Sequence, residues 1–251
     1  MIDLKDKTAV VTGAGQGIGA GIASALAKAG AAVALLDVDG GAVETLAGRI
    51  GTGGAEVRAC AADVLDKEAL SGLVDTLQSD WGQIDILVNN AGIIRDNLIE
   101  NIDEGDWDAV LGVNLKGAFL CSQAVVPHMK QRRYGKIVNI ISRSWLGNVG
   151  QSNYAASKGG LVSLTRTLAL ELARDGINVN GVSPGMIDTP MTRALPARVV
   201  DRLLATQPMG TMGTVDDIAG AVCFLVSDRA RLITGQILHV DGGKSCGLLS
   251  L

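Results

Sequence analysis

The chain has 251 residues, a net charge of −4 and a pI near 5.2 with no basic stripe, which argues against a general nucleic-acid binder. Apolar residues make up 47% and aromatics only 3%, so a core of this size must be aliphatic and alanine-rich. Cys60, Cys121, Cys223 and Cys246 are scattered without a Cys-x-x-Cys pair, and His128 and His239 have no ligand-spaced neighbours, so neither a metal centre nor a disulfide framework is expected. The first residues, Met1 to Lys7, do not read as a signal peptide, and no run approaches the ~18 apolar residues of a membrane helix. The expectation is a cytoplasmic protein with neither a membrane nor a nucleic acid as partner.

Thr8–Val11 is a short apolar run of strand character. It leads into Thr12-Gly13-Ala14-Gly15-Gln16-Gly17-Ile18-Gly19 and then an alanine-rich segment with Ile18, Ile22 and Leu26 at helical spacing, closed by Gly30. Strand, glycine turn, helix is the context of a dinucleotide fingerprint, because the glycines let the backbone approach a pyrophosphate and the helix start offers free N–H groups. The spacing is Gly-x-x-x-Gly-x-Gly (Gly13, Gly17, Gly19), and on these residues alone a glycine-rich turn without a ligand remains the alternative.

Further strand-like runs follow at Ala32–Leu36, Val57–Ala61, Ile84–Val88, Ile137–Ile141, Ile177–Val182 and Gln236–Val240, with segments of helical period between them, such as Leu70, Leu73, Val74 and Leu77. This alternation predicts βαβ units, a parallel seven-stranded sheet covered on both faces, and one domain over residues 1–251. Tyr154 and Lys158 stand four residues apart at the start of a long helical pattern, which puts them on one face a turn apart. An ammonium group beside a phenol can lower its pKa from about 10 by roughly 1–3 units, enough to make a general base for an alcohol or an acid for a ketone. Residues 188–214, with Pro190, Pro196, Pro208, Met191, Met209 and Met212, break the rhythm and read as a substrate lid or a short surface helix.

These motifs together are similar to those of the classical short-chain dehydrogenases/reductases. The resemblance rests on the glycine turn, Asn89-Asn90-Ala91-Gly92, Asn114, Ser142, Tyr154-x-x-x-Lys158, Ser183-Pro184-Gly185, Ile233-Thr234-Gly235-Gln236 and Val240-Asp241-Gly242-Gly243, and it spans essentially the whole chain. It implies an α/β fold with a Rossmann-like doubly wound sheet, usually assembled as a homotetramer. It also implies Tyr154 as the acid/base, Lys158 lowering the phenol pKa and reaching the nicotinamide ribose, Ser142 (with Ser144 as rival) holding the reacting oxygen, and Asn114 anchoring a water in a proton relay.

On the cofactor side the resemblance assigns Gly13, Gln16, Gly17, Ile18 and Gly19 to the phosphates, and Asp63 and Val64 to adenine. Asn90, with Ala91 and Gly92, would lie beside the adenosine ribose, and Pro184, Gly185, Ile187 and Thr189 near the carboxamide. Asp37 ends the second strand, where a carboxylate accepts ribose hydroxyls and repels a 2′-phosphate; Gln16, Val38 and Asp39 occupy the places where a basic residue would favour NADP, so NAD is expected.

The branch containing 3-oxoacyl-carrier-protein reductases is similar through Asn89 to Leu98, but this chain lacks their basic residue in the glycine turn and has Leu170 where an Arg often meets the carrier protein. An NAD-linked secondary alcohol dehydrogenase is therefore preferred, acting on a small-molecule alcohol or ketone of cyclic or medium-chain apolar type. Ile94, Trp145, Leu146, Gln151, Met186 and Met191 are the expected pocket residues, and Arg95 or Arg143 is a candidate for a substrate carboxylate. The reductase, or a non-catalytic dinucleotide-binding regulator, stands as the alternative.

Overall fold

The computed structural model describes residues 2–194 and 196–247, with only the backbone of Met191. Seven strands, β1 (Thr8–Thr12), β2 (Ala32–Asp37), β3 (Val57–Ala61), β4 (Ile86–Asn89), β5 (Gly135–Ile140), β6 (Ile177–Pro184) and β7 (Ile237–Val240), form one parallel sheet in the order β3-β2-β1-β4-β5-β6-β7. The helices among the described residues are α1 (Gly17–Lys28), α2 (Gly40–Gly51), α3 (Lys67–Trp81), α4 (Glu104–Leu111), α5 (Ala118–Arg132), α6 (Ser152–Leu172), α7 (Pro190–Arg193), α8 (Ala197–Leu204) and α9 (Val215–Val226).

Side chains alternate across a strand, so each strand feeds two cores. Val11, Val33, Leu35, Ile86 and Val88 point into the layer of α1, α2 and α9. Val10, Ala34, Leu36, Leu87 and Ile137 point into the layer of α3, α5 and the end of α6. Burial on both faces is why the strands read as nearly unbroken apolar runs. The fourth strand starts at Ile86 rather than at the expected Ile84. Asp85, fully buried, instead turns its carboxylate to the Thr8 amide at 2.9 Å and to Arg132 at 2.7 Å. Arg132, near the end of α5, is thus the partner of a buried acid.

Strand order reverses at β1, with β2 on one side and β4 on the other, and such a switch point opens a crevice at the carboxyl ends of the strands. The glycine turn, loop 90–98, Ser142 and residues 185–189 all follow carboxyl ends of β1, β4, β5 and β6. Between α4 and α5 the chain runs as a π-helical turn, Gly112–Gly117, a bulge of the kind that redirects side chains at functional sites. It turns Asn114 inward, leaving it 1% exposed.

Candidate active site

The glycine turn is held from below. Thr12 Oγ1 accepts the amides of Asn90 and Ala91 at 3.0 Å each, and Asn90 Nδ2 donates to the Thr12 and Gly13 carbonyls at 3.0 and 2.9 Å. Gly13 (φ +62°) and Gly17 (φ +56°) occupy the left-handed region that side chains avoid. A Cβ on Gly19 would stand 2.1 Å from the Gly13 carbonyl oxygen, so only glycine lets α1 start this close to the turn. Gln16 precedes α1 in extended conformation without a side-chain cap, no acid lies in the first helical turn, and a Cβ on Gly17 would meet nothing within 4 Å. The Ala14 and Gly15 amides are taken up by β2, but no side chain caps the first N–H groups of α1, a fit for the pyrophosphate of a dinucleotide. Ile18 is half-buried and packs against the core.

Asp37 lies where expected, and its Oδ2 also accepts the Gly15 amide at 2.9 Å, tying the end of β2 to the glycine turn. Asp63 is exposed and Val64 buried, with the Asp63 carboxylate accepting the Leu65 amide at 2.9 Å. Asn90 sits against the glycine turn. Both its amide hydrogens are engaged by the turn, so the side chain braces the glycines. Thr12, not singled out before as a site residue, shares that bracing, and its place directly ahead of Gly13 was the available signal. Pro184 ends β6, and the Gly185 amide donates to the Val240 carbonyl at 2.9 Å. Ile187 is buried, and Thr189 caps α7 through its bond with Thr192.

Ser142 follows β5 and Tyr154 lies in the first turn of α6, with Lys158 one turn on. Lys158 Nζ stands 5.6 Å from the Tyr154 ring centroid and donates to the Ile140 carbonyl at 2.9 Å. Lys158 is 3% exposed, and burial pulls its pKa down to about 8. The Tyr154 phenol lies above its ordinary value. Burial is the main cause and the Asp96 carboxylate adds to it, while a hydrogen bond with Ser142 pulls the other way. Desolvation of the half-buried phenol outweighs the pull toward acid, and that pull comes from Ser142.

Asn114 Oδ1 accepts the Ile93 amide at 2.7 Å, and its Nδ2 donates to the Ile93 carbonyl at 3.0 Å and to Ser157 Oγ at 3.1 Å. A Cβ on Gly92 would lie 3.2 Å from Asn114 Oδ1 and 3.6 Å from Lys158 Nζ, so these two groups flank the same spot. Both amide hydrogens of Asn114 are engaged by protein, so its side chain braces loop 90–98. Ser144 Oγ donates to Gln151 Oε1 at 2.7 Å, which leaves Ser142 as the serine facing Tyr154.

Ile94, Trp145 and Met186 follow β4, β5 and β6 on one rim, each half-buried, and Leu146 is 48% exposed. Trp145 stacks on His239 with centroids 6.2 Å apart. Gln151 is not free for substrate, since its amide makes three side-chain hydrogen bonds to Ser144, Asn148 and Asp96. The side chain of Met191 lies outside the described residues. Arg95 is 3.6 Å from Asp106, whereas the buried Nε of Arg143 has no hydrogen-bond partner among the described residues. Residues 188–214 carry α7 and α8. On α8, Val199, Val200, Leu203 and Leu204 are half-buried and Arg198, Asp201 and Arg202 exposed, so its apolar face is only partly covered.

Residues 13–245 match the family model described as enoyl-(acyl carrier protein) reductase. The chain is 44% identical over 242 residues (96% of this chain, 98% of the relative) to a hydroxy(phenyl)methylsuccinyl-CoA dehydrogenase subunit, BbsD, of Thauera aromatica. It is 41% identical over 241 residues (96% and 98%) to the 3-oxoacyl-acyl-carrier-protein reductase FabG of Thermotoga maritima. A solved structure from Sinorhizobium meliloti 1021, described as that of a candidate short-chain alcohol dehydrogenase, superposes with a TM-score of 0.94 at 38% identity, covering 98% of this chain and 99% of that one. With the sheet order, the glycine turn and these relatives in agreement, the chain belongs to the classical short-chain dehydrogenase/reductase family of oxidoreductases, whose Rossmann-like fold implies a nicotinamide dinucleotide cofactor.

Proposed function

We propose that this chain is an NAD-linked dehydrogenase that interconverts a secondary alcohol and a ketone, with a cyclic or medium-chain apolar substrate. One observation carries the reading: Tyr154, whose phenol Ser142 pulls toward acid and which lies one turn from the buried ammonium of Lys158, stands at the carboxyl edge of the sheet. The bound nicotinamide would accept or supply the hydride. Ser142 orients the substrate oxygen; Tyr154 takes the hydroxyl proton on oxidation and returns it on reduction. Lys158 supports that exchange by offering positive charge where the phenolate forms, and Asn114 fixes the backbone of Ile93 beside it. Asp37 favours NAD because a 2′-phosphate would meet its carboxylate with no basic side chain at Gln16, Val38 or Asp39 to offset it. Residues 188–214 serve as the substrate lid of a single catalytic domain, and the working assembly is a homotetramer in a cytoplasmic setting.

The test is a panel of alcohols and ketones with each dinucleotide. NAD should support turnover at least tenfold better than NADP, and Tyr154→Phe should remove turnover while NADH still binds. Faster turnover with NADPH at equal low concentration would overturn the cofactor assignment, and turnover only on sugars would overturn the substrate class.

A second reading is favoured by Arg143, whose buried Nε lacks a partner directly after Ser142. A substrate carrying an acceptor oxygen near the reacting carbon, such as a thioester carbonyl, would satisfy it, and the relatives named above are a dehydrogenase of a succinyl-CoA derivative and a 3-oxoacyl reductase. Under this reading the same chemistry runs on an acyl thioester. A 3-hydroxyacyl-CoA or a carrier-bound 3-oxoacyl group should then turn over better than a simple cyclic alcohol.

A further inference from the structure

Tyr154 lies in the first turn of α6, where a helix is least held, because the N–H groups there have no carbonyl one turn behind them. Two side chains of the same turn supply what it lacks. Asn153 Oδ1 accepts the Tyr154 amide, and Ser157 Oγ donates to the Tyr154 carbonyl, each at 2.7 Å. Asn153 and Ser157 are both 0% exposed. Each also reaches the loop after β4. Asn153 Nδ2 donates to the Arg95 carbonyl at 2.9 Å. Ser157 Oγ accepts from Asn114 Nδ2 at 3.1 Å, and Asn114 in turn holds the amide and the carbonyl of Ile93 at 2.7 and 3.0 Å. Ile94 lies between these two anchors in sequence.

We propose that Asn153, with Ser157 as its counterpart, is a positioning residue that locks the backbone of Tyr154 to the loop carrying Ile94, so that the acid/base and one wall of the substrate pocket keep a fixed separation. The inference rests on the dehydrogenase reading given above and adds to it a determinant of substrate size. An amide suits position 153 because it offers an acceptor at one end and a donor at the other, and each end meets a backbone group of the opposite kind. Loop 90–98 has other ties to this region: the Asn97 amide donates to the Gly150 carbonyl at 2.9 Å, and Gln151 Nε2 to Asp96 Oδ2 at 2.8 Å. Gly150 and Gln151 precede α6, and the Gln151 bond lies at the exposed margin, where water takes its place at little cost. Asn153 and Ser157 are sealed from water and act on Tyr154 itself. With the reacting oxygen held by Ser142 and Tyr154, the room on the Ile94 side is then set by the protein rather than by the ligand.

Asn153→Asp keeps an acceptor for the Tyr154 amide but turns a carboxylate oxygen on the Arg95 carbonyl. Asn153→Ser removes the reach to Arg95 without adding charge, and serves if the carboxylate prevents folding. In either variant kcat should fall about tenfold or more, while the Kd for NADH, read by its fluorescence, stays within about twofold. The ratio of kcat/KM between a small and a branched secondary alcohol should fall by about threefold or more as the Ile94 wall gives way. Ser157→Ala should move that ratio in the same direction, and Ser157→Thr, which keeps the hydroxyl, should restore it. With no substrate present, hydrogen exchange over residues 92–98 should quicken in both Asn153 variants while exchange in β1 stays as in wild type. Exchange over residues 92–98 that matches wild type would overturn the proposal. So would a loss of kcat/KM by one common factor for every alcohol, in step with lowered stability, since a merely structural residue gives that result. Because exchange needs no turnover, a protein inactive on every alcohol counts against the dehydrogenase reading, while the protection of the loop still decides whether Asn153 holds it.

Discussion

A buried ammonium is the most expensive single group in the site. At 3% exposure Lys158 has one hydrogen-bond partner among the described residues, the Ile140 carbonyl, and its pKa falls from 10.5 to about 8. Between those two values the unfolded chain binds more protons than the folded one, so this residue makes stability climb as pH rises from about 8 toward 10.5. Below 8 both states are protonated and the full penalty stands, on the order of 3 kcal/mol. Lys158→Met keeps the length of the side chain and removes the charge. Allowing for the lost hydrogen bond to Ile140, the variant should gain about 1–2 kcal/mol at neutral pH, lose the alkaline slope, and lose turnover. Urea unfolding at several pH values reads all but the last, and a variant less stable than wild type at neutral pH would contradict the argument. The direction of the shifts on Lys158 and Tyr154 could not be read from the sequence. Four-residue spacing gives proximity on a helix, but burial, the Ser142 hydrogen bond and the Asp96 charge come from how other elements pack around the pair.

At the scale of elements, α1 and α9 lie against each other with almost no side chain between them at one point. A Cβ on Gly21 would come 1.9 Å from Val215 Cγ1. Val215 is β-branched and begins α9, so it has few rotamers in which to retreat. Gly21→Ala should therefore lose about 1–3 kcal/mol, despite the better helix propensity of alanine. Val215→Ala in the same chain should recover most of that loss, a coupling that a double-mutant cycle of denaturant midpoints measures. Additive losses would mean that the helices separate instead. The elements themselves were largely legible. The edge strand Val57–Ala61 is found at its expected bounds, and the others shift by a few residues at most, since the inner strands, buried on both faces, read as apolar runs. The π-helical turn at Gly112–Gly117 was not legible: its apolar pattern reads as continuous helix, and the bulge follows from the fit of Asn114 to Ile93. The role of Gln151 was hidden for a similar reason, since nothing along the chain says that residues 96, 144 and 151 meet.

For the whole molecule, four of the exposed large apolar side chains sit on helices or the edge strand and fall on two separate faces. Phe119 (43% exposed) and Leu170 (83%) belong to α5 and α6, on one side of the sheet. Phe224 (37%) belongs to α9 on the other side, and Leu238 (39%) to β7, the terminal strand of the sheet. Two distinct apolar faces suit two different two-fold contacts, which together close into a tetramer and leave no face free for further growth. In a two-fold contact each substitution counts twice, and burying a leucine contributes about 1.5–3 kcal/mol, so placing a charge at Leu170 removes several kcal/mol from one interface alone. Light scattering should give a mass of four times 25.8 kDa for the wild type. Leu170→Glu and Phe224→Glu should each give dimers, and the two together monomers with the same fold by circular dichroism. If Leu170→Glu instead leaves the mass unchanged at micromolar concentration, α5 and α6 do not form a subunit contact, and Leu170 is left free to meet a different partner.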